Sequence, residues 1–299
     1  MADQTTMQNP KTQYPEEVQR GEGTKVPYPG ITSEMREKPD HGEKSYKGLG
    51  RLKDKRAIIT GGDSGIGRAV ALAFAREGAD IMISCYEEEE KDALETAQLV
   101  KDAGRKCIIV PGDIRHEDRC KGLAERCVRE LGGIDILVNN AAYQMEQQNF
   151  IDITTEQFDR TMKTNMYAMF WLTKYAVPHM APGSTIINTS SVEAFRPDPF
   201  LLDYAMTKAA IVNFTKSLGQ SLIDKGIRVN SVAPGPVWTP FVPATMSEGN
   251  VAGFGKAMTP MGRPAQPAEL APPFVFLASQ ESSYITAETL AVTGGMLIT

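Results

Sequence analysis

The chain has 299 residues, 41% hydrophobic and 23% charged, with a formal net charge of -5 and a pI near 5.4. These values describe a globular chain with a large core, and the acidic balance excludes the basic field that nucleic-acid binding relies on. No stretch nears the roughly 18 consecutive apolar residues of a bilayer-spanning helix, and the N-terminus lacks the apolar segment of a secretory signal. The expectation is therefore a cytoplasmic protein with a small-molecule partner, and with neither nucleic acid nor membrane. Cys85, Cys107, Cys120 and Cys127 show no CxxC spacing, and the chain holds only three His. No metal site is expected, and the thiols read as mostly buried core residues.

Residues 1–50 carry Pro10, Pro15, Pro27, Pro29 and Pro39, many charges, and only Val18, Val26, Ile31 and Leu49 as branched aliphatics. Such a segment cannot offset its ordering entropy with a core of its own. It is read as a disordered tail or an extended arm on a neighbouring surface, including an adjacent protomer. Tyr14, Tyr28 and Tyr46 give the arm something to bury.

From Arg51 to residue 299, short β-rich runs alternate with helical stretches. The runs are 57–60, 81–84, 107–110, 134–138, 185–188, 227–232 and 289–292. Most are continuously apolar, as strands covered on both faces are, so the pattern predicts one α/β domain with a doubly wound, Rossmann-like, seven-stranded parallel sheet. Pro111-Gly112-Asp113 and Pro234-Gly235-Pro236 end the third and sixth strands at the carboxyl edge, where open α/β sheets bind ligands. Residues 236–265, rich in Gly, Pro and Met, read as a mobile lid. Glu87 to Glu90 read as a solvated first helical turn.

The loop from Thr60 to Gly67 follows the first strand and opens a helix. Gly61, Gly65 and Gly67, with Asp63, Ser64 and Ile66 between them, let backbone N–H groups approach a pyrophosphate at a helix N-terminus. The spacing is GxxxGxG. It is neither the ordinary GxGxxG nor a P-loop, which needs Lys and Ser or Thr at its end.

Tyr204 and Lys208 lie four apart on a predicted helix, so phenol and ammonium share a face. A nearby cation pulls the phenol pKa of about 10 toward working pH, the condition for acid–base catalysis. Ser191 closes the strand-like run before that helix, at the same edge as the glycine loop.

With these motifs in this order, residues 51–299 resemble the short-chain dehydrogenase/reductase family. Thr60-Gly61 with Gly65 and Gly67 matches its TGxxxGxG loop. Asn139-Asn140-Ala141-Ala142 is similar to its NNAG segment, with Ala142 in place of Gly. The resemblance implies catalytic roles for Ser191, Tyr204, Lys208 and Asn165, the last placing a water for proton relay. It also implies that Tyr86, Asp113 and Ile114 contact the cofactor, with Asp113 fixing the adenine. Asn140 and Ala141 would line the cofactor, and Pro234, Gly235, Val237 and Thr239 would hold the nicotinamide carboxamide. Tyr204 and Lys208 would contact the cofactor as well. Gln144, Val192, Glu193, Phe195, Trp238 and Phe241 are candidate substrate walls.

More narrowly, the Pro-rich extension, TGGDSGIG, LASQESSY and VTGG resemble the glucose/ribitol dehydrogenase and aldehyde reductase subgroup. The implied activity is NAD(P)-dependent hydride transfer between nicotinamide and an alcohol, sugar or aldehyde, in a homotetramer. A non-catalytic nicotinamide-binding regulator and a methyltransferase with a similar loop remain as alternatives. Ser84, Cys85 and Tyr86 offer neither the acid of an NAD site nor an Arg for a 2′-phosphate. The acidic run at Glu87–Glu90 repels phosphate, which tilts the expectation toward NAD.

Overall fold

The seven apolar runs form one parallel sheet in the computed structural model, which describes residues 6–14 and 25–298. The strands are β1 (Arg56–Thr60), β2 (Asp80–Cys85), β3 (Cys107–Pro111), β4 (Ile136–Asn139), β5 (Thr185–Thr189), β6 (Arg228–Pro234) and β7 (Thr289–Val292). The helices are α1 (Gly65–Arg76), α2 (Glu90–Asp102), α3 (Glu117–Leu131), α4 (Thr155–Met162), α5 (Ala168–Ala176), α6 (Leu202–Ser221), α7 (Phe241–Thr245), α8 (Glu248–Val251) and α9 (Pro267–Ala278).

Strand parity explains why both faces are covered. Ala57 and Ile59 of β1, with Ile81 and Ile83 of β2, pack into a core with α1 and α9, while Ile58 and Met82 pack into a second core with α3 and α5. Alternate residues point to opposite faces, so a strand apolar at every position needs helices on both sides. The strand order is β3-β2-β1-β4-β5-β6-β7, parallel throughout. The chain runs outward from β1 to β3 and then returns to β4 beside β1. The loops after β1 and β4 therefore diverge, and a crevice opens at the carboxyl edge between them.

Three local features differ from the sequence pattern. The fourth strand begins at Ile136, and Ile134 is buried ahead of it. The apolar stretch 158–175 is interrupted by a π-helical turn at Lys163–Tyr167, which separates α4 from α5. Residues 236–265, which lack clear periodicity in the sequence, hold two short helices, α7 and α8. Cys85, Cys120 and Cys127 are buried, Cys107 is half-buried and all four are free thiols.

The described residues of the arm, 6–14 and 25–50, pack against this chain's own surface. Tyr14, Val26, Met35 and Tyr46 are all buried. Its end is fastened by Glu77, whose fully buried carboxylate accepts from Tyr46 Oη at 2.6 Å, Arg51 Nη2 at 2.6 Å and the backbone N–H groups of Leu49 and Arg51. Burial alone would raise the pKa of Glu77, but the hydrogen bonds from Arg51 and Tyr46 outweigh it and hold the value down to about 2. Its contribution to stability is complete above the ordinary value of 4.5 and is lost as pH falls toward 2. Glu77→Ala is expected to cost about 3 kcal/mol in denaturant unfolding at pH 7. The deficit should narrow when unfolding is repeated at falling pH below 4.5.

Candidate active site

The crevice floor is a hydrogen-bonded junction between the ends of β1 and β4. Thr60 Oγ1 accepts from the N–H groups of Asn140 at 2.9 Å and Ala141 at 3.0 Å, and Asn140 Nδ2 donates back to the carbonyls of Thr60 and Gly61. Gly67 packs behind this loop rather than on the crevice wall, because a Cβ there would lie 1.8 Å from the Gly61 carbonyl oxygen. The remaining loop residues, Gly61, Asp63, Ser64, Gly65 and Ile66, face the crevice. Helix α1 starts there without a side-chain cap from Ser64. An uncapped helix N-terminus at the crevice provides N–H donors and a partial positive charge, which suits a pyrophosphate. The loop therefore fits a dinucleotide.

Tyr86, Ile114, Asn140, Ala141, Pro234, Gly235, Val237 and Thr239 line the same crevice, as expected. Asp113 does not. Its carboxylate is taken by Arg115 (Nη2 to Oδ2, 2.5 Å), and the neighbouring Gly112 and Ile114 form the wall instead. Glu89, expected to be solvated, also faces the crevice and folds back to accept from Tyr86 N at 2.9 Å. Burial and the nearby Asp63 push its pKa up to about 8.

Beyond the cofactor-sized groove, α6 brings Tyr204 and Lys208 to the end of β5. The Ser191 hydroxyl accepts from Glu193 N at 3.1 Å and stands on the crevice wall with the Tyr204 phenol. Lys208 Nζ lies 5.2 Å from the Tyr204 ring centroid and donates to the Thr189 carbonyl at 2.8 Å. All three side chains line the crevice, so the structure brings the expected trio together.

The electrostatics reverse one expectation. Burial raises the Tyr204 pKa against the lowering influence of Ser191, and it brings Lys208 down to about 7. The lysine has left water without a carboxylate to pair with, so its charged form is disfavoured and it does not acidify the phenol here.

Asn165 is held through its side chain: its amide nitrogen donates to Tyr143 O at 2.9 Å and Thr207 Oγ1 at 3.0 Å. Its Oδ1 accepts from Tyr143 N at 2.7 Å. With both amide hydrogens used, it fastens the segment after β4 to α6 from off the main crevice.

The substrate end is formed by Gln144, Val192, Glu193, Asp198, Leu201, Phe241, Met246, Phe254 and Met258. Gln144 donates to Thr245 Oγ1 at 2.8 Å, and Glu193 accepts from Asp198 N at 2.6 Å. Burial raises the Glu193 pKa. Two expected wall residues are absent from it. Trp238 is a core residue, 1% exposed, whose indole N–H donates to Glu37 O at 2.8 Å, and Phe195 lies off the wall. Tyr28 and Pro29 of the arm line the crevice and were not anticipated from the motifs, although the rings among the arm's prolines signalled that it packs.

Comparison with known proteins agrees with this architecture. Residues 61–297 match the family model described as enoyl-(acyl carrier protein) reductase. General stress protein 39 of Bacillus subtilis is 51% identical over 96% of this chain and 99% of its own length. NADPH-dependent aldehyde reductase 1 (chloroplastic) of Arabidopsis thaliana is 44% identical, covering 90% of this chain and 96% of its own. Among solved structures, a short-chain dehydrogenase from Burkholderia cenocepacia in complex with NADP superposes with a TM-score of 0.77 at 30% identity, over 82% of this chain and 98% of that one. A 3-ketoacyl-(acyl-carrier-protein) reductase from Brucella melitensis complexed with NADH gives 0.74 at 32% identity, with the same coverage. The chain belongs to the short-chain dehydrogenase/reductase family and is an NAD(P)-dependent oxidoreductase.

Proposed function

We propose that the protein reduces a neutral aldehyde or ketone to its alcohol, or runs the reverse reaction, with Tyr204 as the proton donor or acceptor. The observation that carries this reading is that Ser191, Tyr204 and Lys208 all line the same crevice, with Lys208 Nζ 5.2 Å from the Tyr204 ring centroid. A carbonyl oxygen seated between the two hydroxyls receives a hydrogen bond from each, so both donors face the atom on which negative charge develops. The nicotinamide ring supplies or accepts the hydride at the carbonyl carbon. In the reducing direction the Tyr204 proton passes to the oxygen. The raised phenol pKa leaves Tyr204 protonated at neutral pH, the form that holds the proton to be passed. Lys208, fixed to the Thr189 carbonyl, holds a proton that is exchangeable near pH 7 beside the phenol ring.

The substrate end supports a neutral ligand. The apolar Val192, Leu201, Phe241, Met246, Phe254 and Met258 surround the carboxylates of Glu193 and Asp198, which repel an acid and suit a hydroxyl. Aldehydes, sugars and polyols fit this chemistry, as does the aldehyde reductase name of the Arabidopsis relative. A preference for NAD over NADP is part of the same proposal, with the carboxyl groups of Asp63 and Glu89 on the wall offering partners to a ribose hydroxyl. Assembly as a homotetramer in the cytoplasm is part of the same proposal. Phe158, Tyr167, Phe170 and Met206 are exposed on and between α4, α5 and α6, as an interface between copies requires.

Tyr204→Phe is expected to lower turnover by about 10²- to 10⁴-fold in a nicotinamide-absorbance assay with an aldehyde panel, while cofactor titration stays nearly unchanged. Unchanged turnover overturns the assignment. Lys208→Met carries a second, signed expectation. The folded pKa of about 7 lies below the ordinary 10.5, so the burial cost is complete below pH 7 and gone above 10.5. The variant should melt higher than the parent at pH 7, and this gain should shrink by pH 10.5, as read by thermal melts without cofactor. The kcat/KM ratio for NAD over NADP is expected to exceed one.

A further inference from the structure

The segment from Val26 to Glu37 crosses the mouth of the crevice and is fastened on both sides of it. On the lid side, Val26 and Met35 pack into one apolar cluster with Trp238, Val242, Val251 and Phe254. The Glu37 carbonyl receives the Trp238 indole N–H. Gly30, at φ +98°, sits so close to α7 that a Cβ there would lie 2.7 Å from the Pro240 carbonyl oxygen. On the other side, Thr32 N donates to Asp92 Oδ2 of α2 at 2.7 Å in a buried bond, and Lys91 Nζ donates to Ser33 Oγ at 3.0 Å.

Between these anchors, Tyr28 and Pro29 stand on the crevice wall together with Asp63, Ser64 and Ile66 of the glycine loop. Tyr28 is itself fixed. Its ring packs edge-on against Tyr86 and Tyr143, with the Arg160 guanidinium 4.6 Å from its centroid. A polar, proline-rich arm without a core of its own has thus placed a rigid aromatic ring at the ligand groove.

We propose that Tyr28 and Pro29 belong to the cofactor-binding site, and that the Val26–Glu37 segment is a strap that holds the nicotinamide dinucleotide in the crevice. The inference rests on the nucleotide-binding reading of that crevice. A dinucleotide lying along the carboxyl edge has the glycine loop beneath it and Tyr28-Pro29 on its outer side. Its escape requires the strap to lift from α2 or from the lid. The strap therefore acts on dissociation, and its contribution appears in koff more than in the carbonyl chemistry.

The test is stopped-flow release of NADH and of NADPH, followed by nucleotide fluorescence after displacement with excess oxidised cofactor. The full-length parent is compared with Tyr28→Ala, Tyr28→Phe and Gly30→Ala. Tyr28→Ala and Gly30→Ala are expected to speed release about tenfold, a change of about 1.4 kcal/mol. Tyr28→Phe, which keeps the ring, should stay within about twofold of the parent, so a ring on the wall is separated from general loosening of the arm. Parent-like release from both Tyr28→Ala and Gly30→Ala overturns the strap while leaving the dinucleotide site intact. If the parent binds neither NADH nor NADPH, the nucleotide reading itself fails, and the inference falls with it.

Discussion

The crevice depends on the junction where Thr60 and Asn140 bind one another at the ends of β1 and β4. A hydroxyl that accepts two N–H groups, and an amide that spans two carbonyls, hold the strand ends together where their onward loops must part. The close approach of Gly67 to the Gly61 carbonyl then brings the start of α1 against that junction. An open, uncapped helix end at the groove follows from this contact. Every later feature of the site is measured outward from it, including the phenol on α6, the lid after β6 and the arm outside.

Much of this was legible in the amino-acid order because the signals are local. Largely apolar runs, two of them closed by Pro-Gly, located the strands to within a residue or two, and the glycine spacing located the loop. Tyr204 and Lys208 were legible because one helical turn separates them, and Ser191 because a strand end precedes it. What the sequence did not reveal depends on contacts between distant segments. Asp113 has an acid's chemistry, yet Arg115, two residues on, takes the carboxylate. Trp238 sits beside Val237 and Thr239 of the wall but turns inward, because the Glu37 carbonyl 201 positions away receives its N–H. The protonation of Lys208 depends on burial without a counter-charge, and a four-residue spacing does not reveal that.

The arm shows the same limit in a larger element. Its composition excludes an independent core, and that inference is sound. It does not specify which surface the segment lies on. The structure resolves this through a few specific bonds, with Glu77 fixing the arm's end and Asp92 its middle. The segment thereby becomes an outer layer over an otherwise ordinary sheet, joined to the lid through Val26 and Met35. Asn165 has a comparable structural use, since a π-turn sets its amide where it ties two elements together.

The four free cysteines lead to a different consequence. Burial raises the pKa of Cys85, Cys107, Cys120 and Cys127, so each remains the neutral thiol at physiological pH. Only the ionised sulfur attacks peroxides and alkylating agents at an appreciable rate. Cys85 borders the nucleotide groove, and is nonetheless shielded in this way. Because the proposed proton transfer uses an oxygen acid and an amine rather than sulfur, an alkylating reagent that silences enzymes through a reactive thiolate meets only the neutral thiol of Cys85 along this crevice.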